Sequence, residues 1–171
     1  MKQKITIVDE QDNVIGYKDR EDLQHEEIYR VSALWITNTK GEILLAQRSL
    51  TKSHSPGKWG PAVAGTVEEG ESYDSNIIKE AKEELGLENI KPTTGPKERV
   101  TRKLNYSVQW YLLNIDKPEA EFIIQKDEVE EVRWFSAEEL KTEIKKQPDK
   151  FIETMNLLAE LFLDNNDVVK F

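Results

Sequence analysis

The stretch Gly65-Thr-Val-Glu-Glu-Gly-Glu-Ser-Tyr-Asp-Ser-Asn-Ile-Ile-Lys-Glu-Ala-Lys-Glu-Glu-Leu-Gly-Leu87 decides how the rest of the chain is read. A glycine-bearing acidic loop runs into a segment whose spacing predicts a helix over 72–85. Ser72 suits the N-cap, Asp74 and Ser75 suit the first turn, and Gly86 suits the stop. At about 100° per residue, Glu80, Glu83 and Glu84 share one face, and Ile77, Ile78, Ala81 and Leu85 fall on the neighbouring one. Like charges at these spacings repel by a few tenths of a kcal/mol per pair, and Glu69 and Glu71 in the loop add to the field. A hard divalent cation such as Mg²⁺ takes oxygen ligands and keeps waters and phosphate oxygens. It would turn that cost into a binding site.

Outward from this stretch, the 171 residues suit one domain, 1–171. Residues 1–27 are expected as an N-terminal hairpin extension and 147–171 as a C-terminal helix and tail. With 37% hydrophobic and 33% charged residues the chain reads as a globular protein. No apolar run approaches the ~20 residues that span a bilayer, and the N-terminus lacks the apolar core of a secretory signal, so cytoplasm is the expected location. The absence of cysteine excludes disulfides, thiolate metal sites and cysteine nucleophiles. A net charge of −9 argues against nucleic-acid polymers and anionic membranes as partners. A small anionic substrate stays open, because a metal and a few local cations reverse the field in one pocket.

Strands are expected near 3–9 and 14–17, 28–38, 42–48, 59–67, 90–102 with a break at Gly95-Pro96, 104–115 and 129–134. Residues 18–27 read as a loop or a short helix. Ser136 and Glu139 form a capping-box pattern before a helix over 137–146. A last amphipathic helix is expected from about 151 to 163, followed by an irregular tail over 164–171. The loop 49–58 follows Arg48 and carries Lys52, His54 and Lys58. The pattern gives a mixed β-sheet flanked by helices.

The opening stretch resembles the signature of the Nudix hydrolase family: Gly, five residues, Glu, seven residues, Arg-Glu, an aliphatic, any residue, Glu-Glu, any residue, Gly, an aliphatic. Gly65, Glu71, Glu80, Glu83, Glu84, Gly86 and Leu87 match, Lys79 stands for the arginine, and Ala81 for the first aliphatic. The resemblance implies a Nudix-type α/β/α sandwich and Mg²⁺- or Mn²⁺-dependent pyrophosphohydrolysis of a nucleoside di- or triphosphate derivative, with water attacking phosphorus. It implies Glu80, Glu83 and Glu84 as metal ligands, with the Gly65 carbonyl as a further one, and Glu71 as support. In the family the arginine braces a catalytic glutamate; Lys79 keeps its charge and loses its planar fork.

A narrower resemblance links Arg48-Ser-Leu-Thr-Lys52 and Ser55-Pro-Gly-Lys-Trp59 to the Nudix branch that includes isopentenyl diphosphate isomerase. It implies Arg48 and Lys52, with Lys58 as an addition, as contacts to a pyrophosphate. That isomerase requires a cysteine before the signature glycine and metal-binding histidines. Here Ala64 precedes Gly65 and Tyr29 stands at one histidine position. Many family members also carry a late glutamate, as general base or extra ligand, before a tryptophan-bearing strand. Glu128 is preferred for it, with Asp127 and Glu131 as alternatives.

Each residue also has a plainer reading. An acidic helix face is often just solvated, cations after a strand are common, and His25 and His54 read as loop residues. Tyr106, Trp110 and Tyr111 read as sheet packing, with base stacking as the alternative. Three functions compete: the hydrolase, a non-catalytic nucleotide- or diphosphate-binding module, and the isomerase. The N-terminal strand pair leaves a homodimer open.

Overall fold

The longest strand, β3 (Ile28–Thr37), is the axis of the molecule, and its alternation assigns the two faces of the sheet. Leu34 and Ile36 enter one apolar cluster, and Ala33 and Trp35 enter the other. The computed structural model describes residues 3–164. β8 (Asn105–Asn114) runs parallel to β3 along its whole length, and β7 (Thr93–Thr101) pairs antiparallel with β8. The other edge of β3 is shared. β1 (Lys4–Val8) takes its first residues, β6 (Val63–Thr66) takes Val31–Leu34, and β4 (Ile43–Arg48) takes Ile36 and Thr37. β2 (Val14–Asp19) pairs with β1, and β5 (Trp59–Pro61) and β9 (Val129–Phe135) pair with β4. This is an open mixed sheet with helices on both sides, the expected α/β/α sandwich.

Helix α1 (Tyr73–Leu85) covers the face of Leu34 and Ile36, and α2 (Ala137–Lys146) and α3 (Met155–Ala159) cover the face of Trp35. Phe162 stacks on Trp35 with ring centroids 4.5 Å apart and meets Trp110 edge-on. Trp110 is therefore core, Tyr111 is buried, and Tyr106 packs against Tyr29, as the packing reading of these aromatics expects.

Four local expectations are corrected. The segment 59–67 is two strands, because Pro61 has no N–H to continue the ladder; the chain turns at buried Ala62 and changes partner from β4 to β3. The last helix starts at Met155, not near 151. Phe151 bridges to Trp59, and the Ile152 N–H donates to the Trp59 carbonyl at 3.0 Å, so these apolar residues serve the edge of β5. The helix then widens into a π-turn, Glu160–Asp164. The capping box at Ser136 is half made: its hydroxyl accepts the Glu139 N–H at 3.1 Å, but the Glu139 carboxylate pairs with Arg133. Ile78 is exposed, and Asn76 takes its place on the buried face of α1. Apart from Asp164, the expected tail lies outside the described residues.

The N-terminal hairpin is built into the site's frame. The Thr6 N–H donates to the Val67 carbonyl at 2.9 Å and the Glu69 N–H to the Lys4 carbonyl at 2.8 Å, so β1 pins the start of the acidic loop. At the hairpin tip Asp12 adopts φ 64°, a left-handed conformation that aspartate tolerates. Its Oδ1 accepts from Arg30 Nε and from the Tyr73 hydroxyl, both at 2.9 Å, and its Oδ2 pairs with Lys97. Arg30 and Lys97 also lie 4.9 and 4.8 Å from the Tyr73 ring centroid. The tip is thus fastened to the first turn of α1.

Candidate active site

Helix α1 begins with Ser72 as N-cap: its hydroxyl accepts the Ser75 N–H, and the Ser75 hydroxyl accepts the Ser72 N–H. It ends at Gly86, φ 65°, where the Gly86 and Leu87 N–H groups close onto the Lys82 and Ala81 carbonyls. A side chain at Gly86 would also put Cβ 2.7 Å from Ile123 Cβ. The loop after Phe122 is fastened to this end, with the Ile123 N–H on the Leu85 carbonyl at 3.2 Å and the Gln125 N–H on the Glu84 carbonyl at 3.0 Å. The same loop accepts the Ser49 N–H at the Glu128 carbonyl, 2.9 Å. Backbone bonds therefore bring the end of α1, the end of β4 and the loop carrying Glu128 to one place.

Gly65 lies directly under Glu80. A Cβ there would fall 2.3 Å from both Cγ and Cδ of Glu80, so only glycine lets the glutamate cross the strand. Lys79 holds the acidic set from the side, with Nζ 2.7 Å from Glu71, 3.2 Å from Glu68 and 3.5 Å from Glu80. Burial pulls the Lys79 ammonium down, but its bonds to Glu71 and Glu68 outweigh that and hold it above the ordinary lysine value. Glu71 shows the converse. Burial pushes it up, and Lys79, the Glu68 N–H and Asn76 together bring it below the usual carboxylate range.

Glu80 and Glu84 behave differently. Burial raises Glu80, the neighbouring Glu83 and Glu71 charges raise it further, and Lys79 offsets only part. Glu84 keeps some exposed surface, yet its carboxyl sits deep among protein atoms. Burial pushes it well up, with Glu80 and Glu128 adding, against the Ala64 N–H and Lys52. Glu83 is exposed. Among the described residues, no three His, Asp or Glu side chains are gathered closely enough to hold a metal ion as they stand. The donor set nevertheless fits one, since all the groups are hard oxygens and the nearby lysines offset only part of the negative field on Glu80 and Glu84.

The cationic candidates separate. Lys52 pairs with Glu128, which brings the expected phosphate contact and the expected base together beside Glu84. Arg48 Nε donates to the His54 carbonyl of its own loop at 2.9 Å. Lys58 lies elsewhere, on the rim of a cavity of about 350 Å³ lined also by Arg102, Phe151, Ile152 and Met155. That cavity is on the α2–α3 side, away from the acidic set. The alternatives Asp127 and Glu131 are exposed, and it is Glu128 that acts on Glu84. His54 meets Ser53, 3.2 Å away.

Sequence reasoning passed over Asn76, Ser32 and Glu68. Asn76 is fully buried and donates to Glu71 at 2.9 Å and to Glu80 at 3.3 Å. The available signal was a polar amide next to Ile77 on a helix face otherwise apolar.

A family model described as NUDIX domain matches residues 27–155. The chain is 30% identical over 137 residues to an uncharacterised Nudix hydrolase of Yersinia pestis, covering 80% of this chain and 74% of that protein. It is 26% identical over 160 residues to an isopentenyl-diphosphate Delta-isomerase of Photorhabdus laumondii, covering 88% and 87%. The crystal structure of DR0079 from Deinococcus radiodurans superposes with a TM-score of 0.80 at 24% identity, covering 93% and 99%, and so shares the fold.

Proposed function

The chain belongs to the Nudix hydrolase family, and from that premise we propose that it is a divalent-metal-dependent pyrophosphohydrolase acting on a nucleoside di- or triphosphate derivative. The carrying observation is the charge imbalance at the C-terminal half of α1. Burial raises both Glu80 and Glu84; Glu83 and Glu71 add to Glu80, Glu80 and Glu128 add to Glu84, and Lys79 offsets only part of the field on Glu80.

In this reading Glu80, Glu83, Glu84 and the Gly65 carbonyl hold Mg²⁺ or Mn²⁺, Glu71 supports them, and Lys79 braces Glu71 and Glu80. Ions held there would supply positive charge to offset the phosphate oxygens and to acidify the attacking water. Water attacks phosphorus and the P–O bond of the diphosphate linkage breaks. Lys52 leaves Glu128 for a substrate phosphate, and the freed Glu128 carboxylate takes the water's proton. Arg48 adds a phosphate contact if it leaves the His54 carbonyl. Lys58, on the rim of the cavity on the α2–α3 side, has no part in this reading.

Isomerisation fits less well. Position 64, which carries cysteine in the isomerase branch, is an exposed alanine with no ionisable group. The test is product release over a nucleotide panel, with isopentenyl diphosphate included, in Mg²⁺ or Mn²⁺. Glu83→Gln should abolish turnover and leave Tm unchanged, since the side chain is exposed. Full activity in Glu83→Gln refutes the role given to the Glu80, Glu83 and Glu84 face, and ligand binding without turnover in the wild type refutes the hydrolase and leaves a binding module.

A further inference from the structure

Asn76 and Ser32 are both fully buried, on α1 and β3 respectively. A buried amide destabilises the fold unless its hydrogen bonds are met, and asparagine is a poorer helix former than alanine. Ile77, Ala81 and Leu85 fill the rest of that face with apolar groups, so Asn76 is an expensive residue for packing alone. Its amide is instead fully used. Nδ2 donates to Glu71 Oε2 at 2.9 Å, to the Thr66 carbonyl at 3.2 Å and to Glu80 Oε1 at 3.3 Å. The Ser32 hydroxyl donates to Oδ1 at 2.5 Å. All three groups facing Nδ2 are acceptors only, so a flipped amide would set its oxygen against two carboxylates and a carbonyl. Ser32 then completes the amide's hydrogen bonds from the opposite side.

We infer that Asn76, anchored by Ser32, is a positioning residue that sets the carboxylates of Glu71 and Glu80 for cation binding. This rests on the metal-site reading given above. One neutral amide ties together the end of β6, the acidic loop and the helix. It does so without the charge of Lys79, so it aligns Glu80 without neutralising it. Outer partners of this kind typically change metal affinity 10–100-fold when removed.

The test is Mn²⁺ binding to the metal-free protein, read as free Mn²⁺ by electron paramagnetic resonance, with Tm followed in parallel. Asn76→Ala should raise the Kd about tenfold or more. Ser32→Ala should raise it several-fold, and the double variant should bind no more weakly than Asn76→Ala. Ile77→Ala empties the adjacent buried position without touching a carboxylate. It should lower Tm and leave the Kd unchanged. The inference is overturned if Asn76→Ala binds within twofold of wild type, or if Ile77→Ala loses as much affinity. Should Asn76→Ala not fold, an unchanged Kd in Ser32→Ala overturns it equally. Wild-type protein that binds no Mn²⁺ removes the metal site and this inference together. Wild-type binding with an unchanged Asn76→Ala removes the inference alone.

Discussion

The two ends of helix α1 handle buried charge in opposite ways. At its start one carboxylate, Asp12, meets two cations and a hydroxyl. Burial pushes the Asp12 carboxyl up, but Lys97, Arg30 and Tyr73 overcome that and hold it below the ordinary value. Tyr73 is driven up to about 12, first by burial and then by Asp12, against a hydrogen bond from Ser107. Everything there is paired, and the result is a clasp. At the other end Glu80, Glu83, Glu84 and Glu128 gather with Lys79 and Lys52 as the cations, and the buried pair Glu80 and Glu84 is shifted toward the protonated form. The same side-chain types make a finished structure where charges balance and a ligand-demanding one where they do not.

The sharpest way to break this contrast is at Gly65. Gly65→Ala pushes a methyl into the Glu80 side chain at 2.3 Å. We expect kcat/KM to fall about a hundredfold or more, since a displacement near 1 Å costs that much in a preorganised site, with Tm little changed. Gly70 is the control. It has φ 87° with nothing within 4 Å of an added Cβ, so Gly70→Ala should cost on the order of 1 kcal/mol of stability and spare activity. Equal activity in Gly65→Ala and wild type would end the argument that this strand position shapes the site.

The two ends should also respond oppositely to loss of a charge. The depressed Asp12 value means that its contribution is present above the unfolded value, near 4, and is lost as pH falls through the lower folded value. Asp12→Asn should therefore cost about 2 kcal/mol at pH 7, a Tm loss on the order of 5 °C, and the deficit should vanish in acid. Glu84 has the reverse sign. Its raised value favours folding below about pH 4, and that contribution is lost as pH rises through the folded value. Metal-free Glu84→Gln should therefore melt above wild type at pH 7, converge with it near pH 4, and fall below it in saturating Mg²⁺. Thermal melts across pH decide this, and equal losses in both variants at pH 7 without metal would abolish the distinction.

How much of this was legible in the sequence follows from the range of each interaction. Glu80, Glu83 and Glu84 lie within one and a half helical turns, so their shared face could be read from spacing, as could the caps at Ser72 and Gly86. The positions of β3 and β8 along the chain were readable too, because both are long and rich in apolar and aromatic residues, but their pairing was not. The Ser32–Asn76 bond joins residues 44 apart and the Lys52–Glu128 pair residues 76 apart. No local period encodes such contacts. Ile78 was misplaced because 100° steps leave it at the margin of the apolar stripe, where tertiary packing decides. Phe151 and Ile152 were misread because apolar residues at helical spacing can equally close a strand edge, and nothing nearby marked the difference. Lys58 looked like a partner of Arg48 and Lys52 in the linear order, but the 49–58 loop folds so that Lys58 edges a different cavity.

The smallest expected effect concerns Lys79, the one cation shared by Glu68, Glu71 and Glu80. An ammonium is a compact charge with three rotatable donors, which suits three carboxylates arranged around it. A guanidinium would favour a planar, two-point bond to one of them. Lys79→Arg should therefore change kcat/KM by less than about threefold, or ~0.7 kcal/mol. Lys79→Ala, which leaves Glu80 braced by Asn76 and Glu71 by Asn76 and the Glu68 N–H, should cut it about tenfold or more. Steady-state kinetics at saturating Mg²⁺ separates the cases. A large gain in Lys79→Arg would mean that the lysine holds the acidic end too tightly. The two ends of α1 would then differ less in balance than in how rigidly each is clamped.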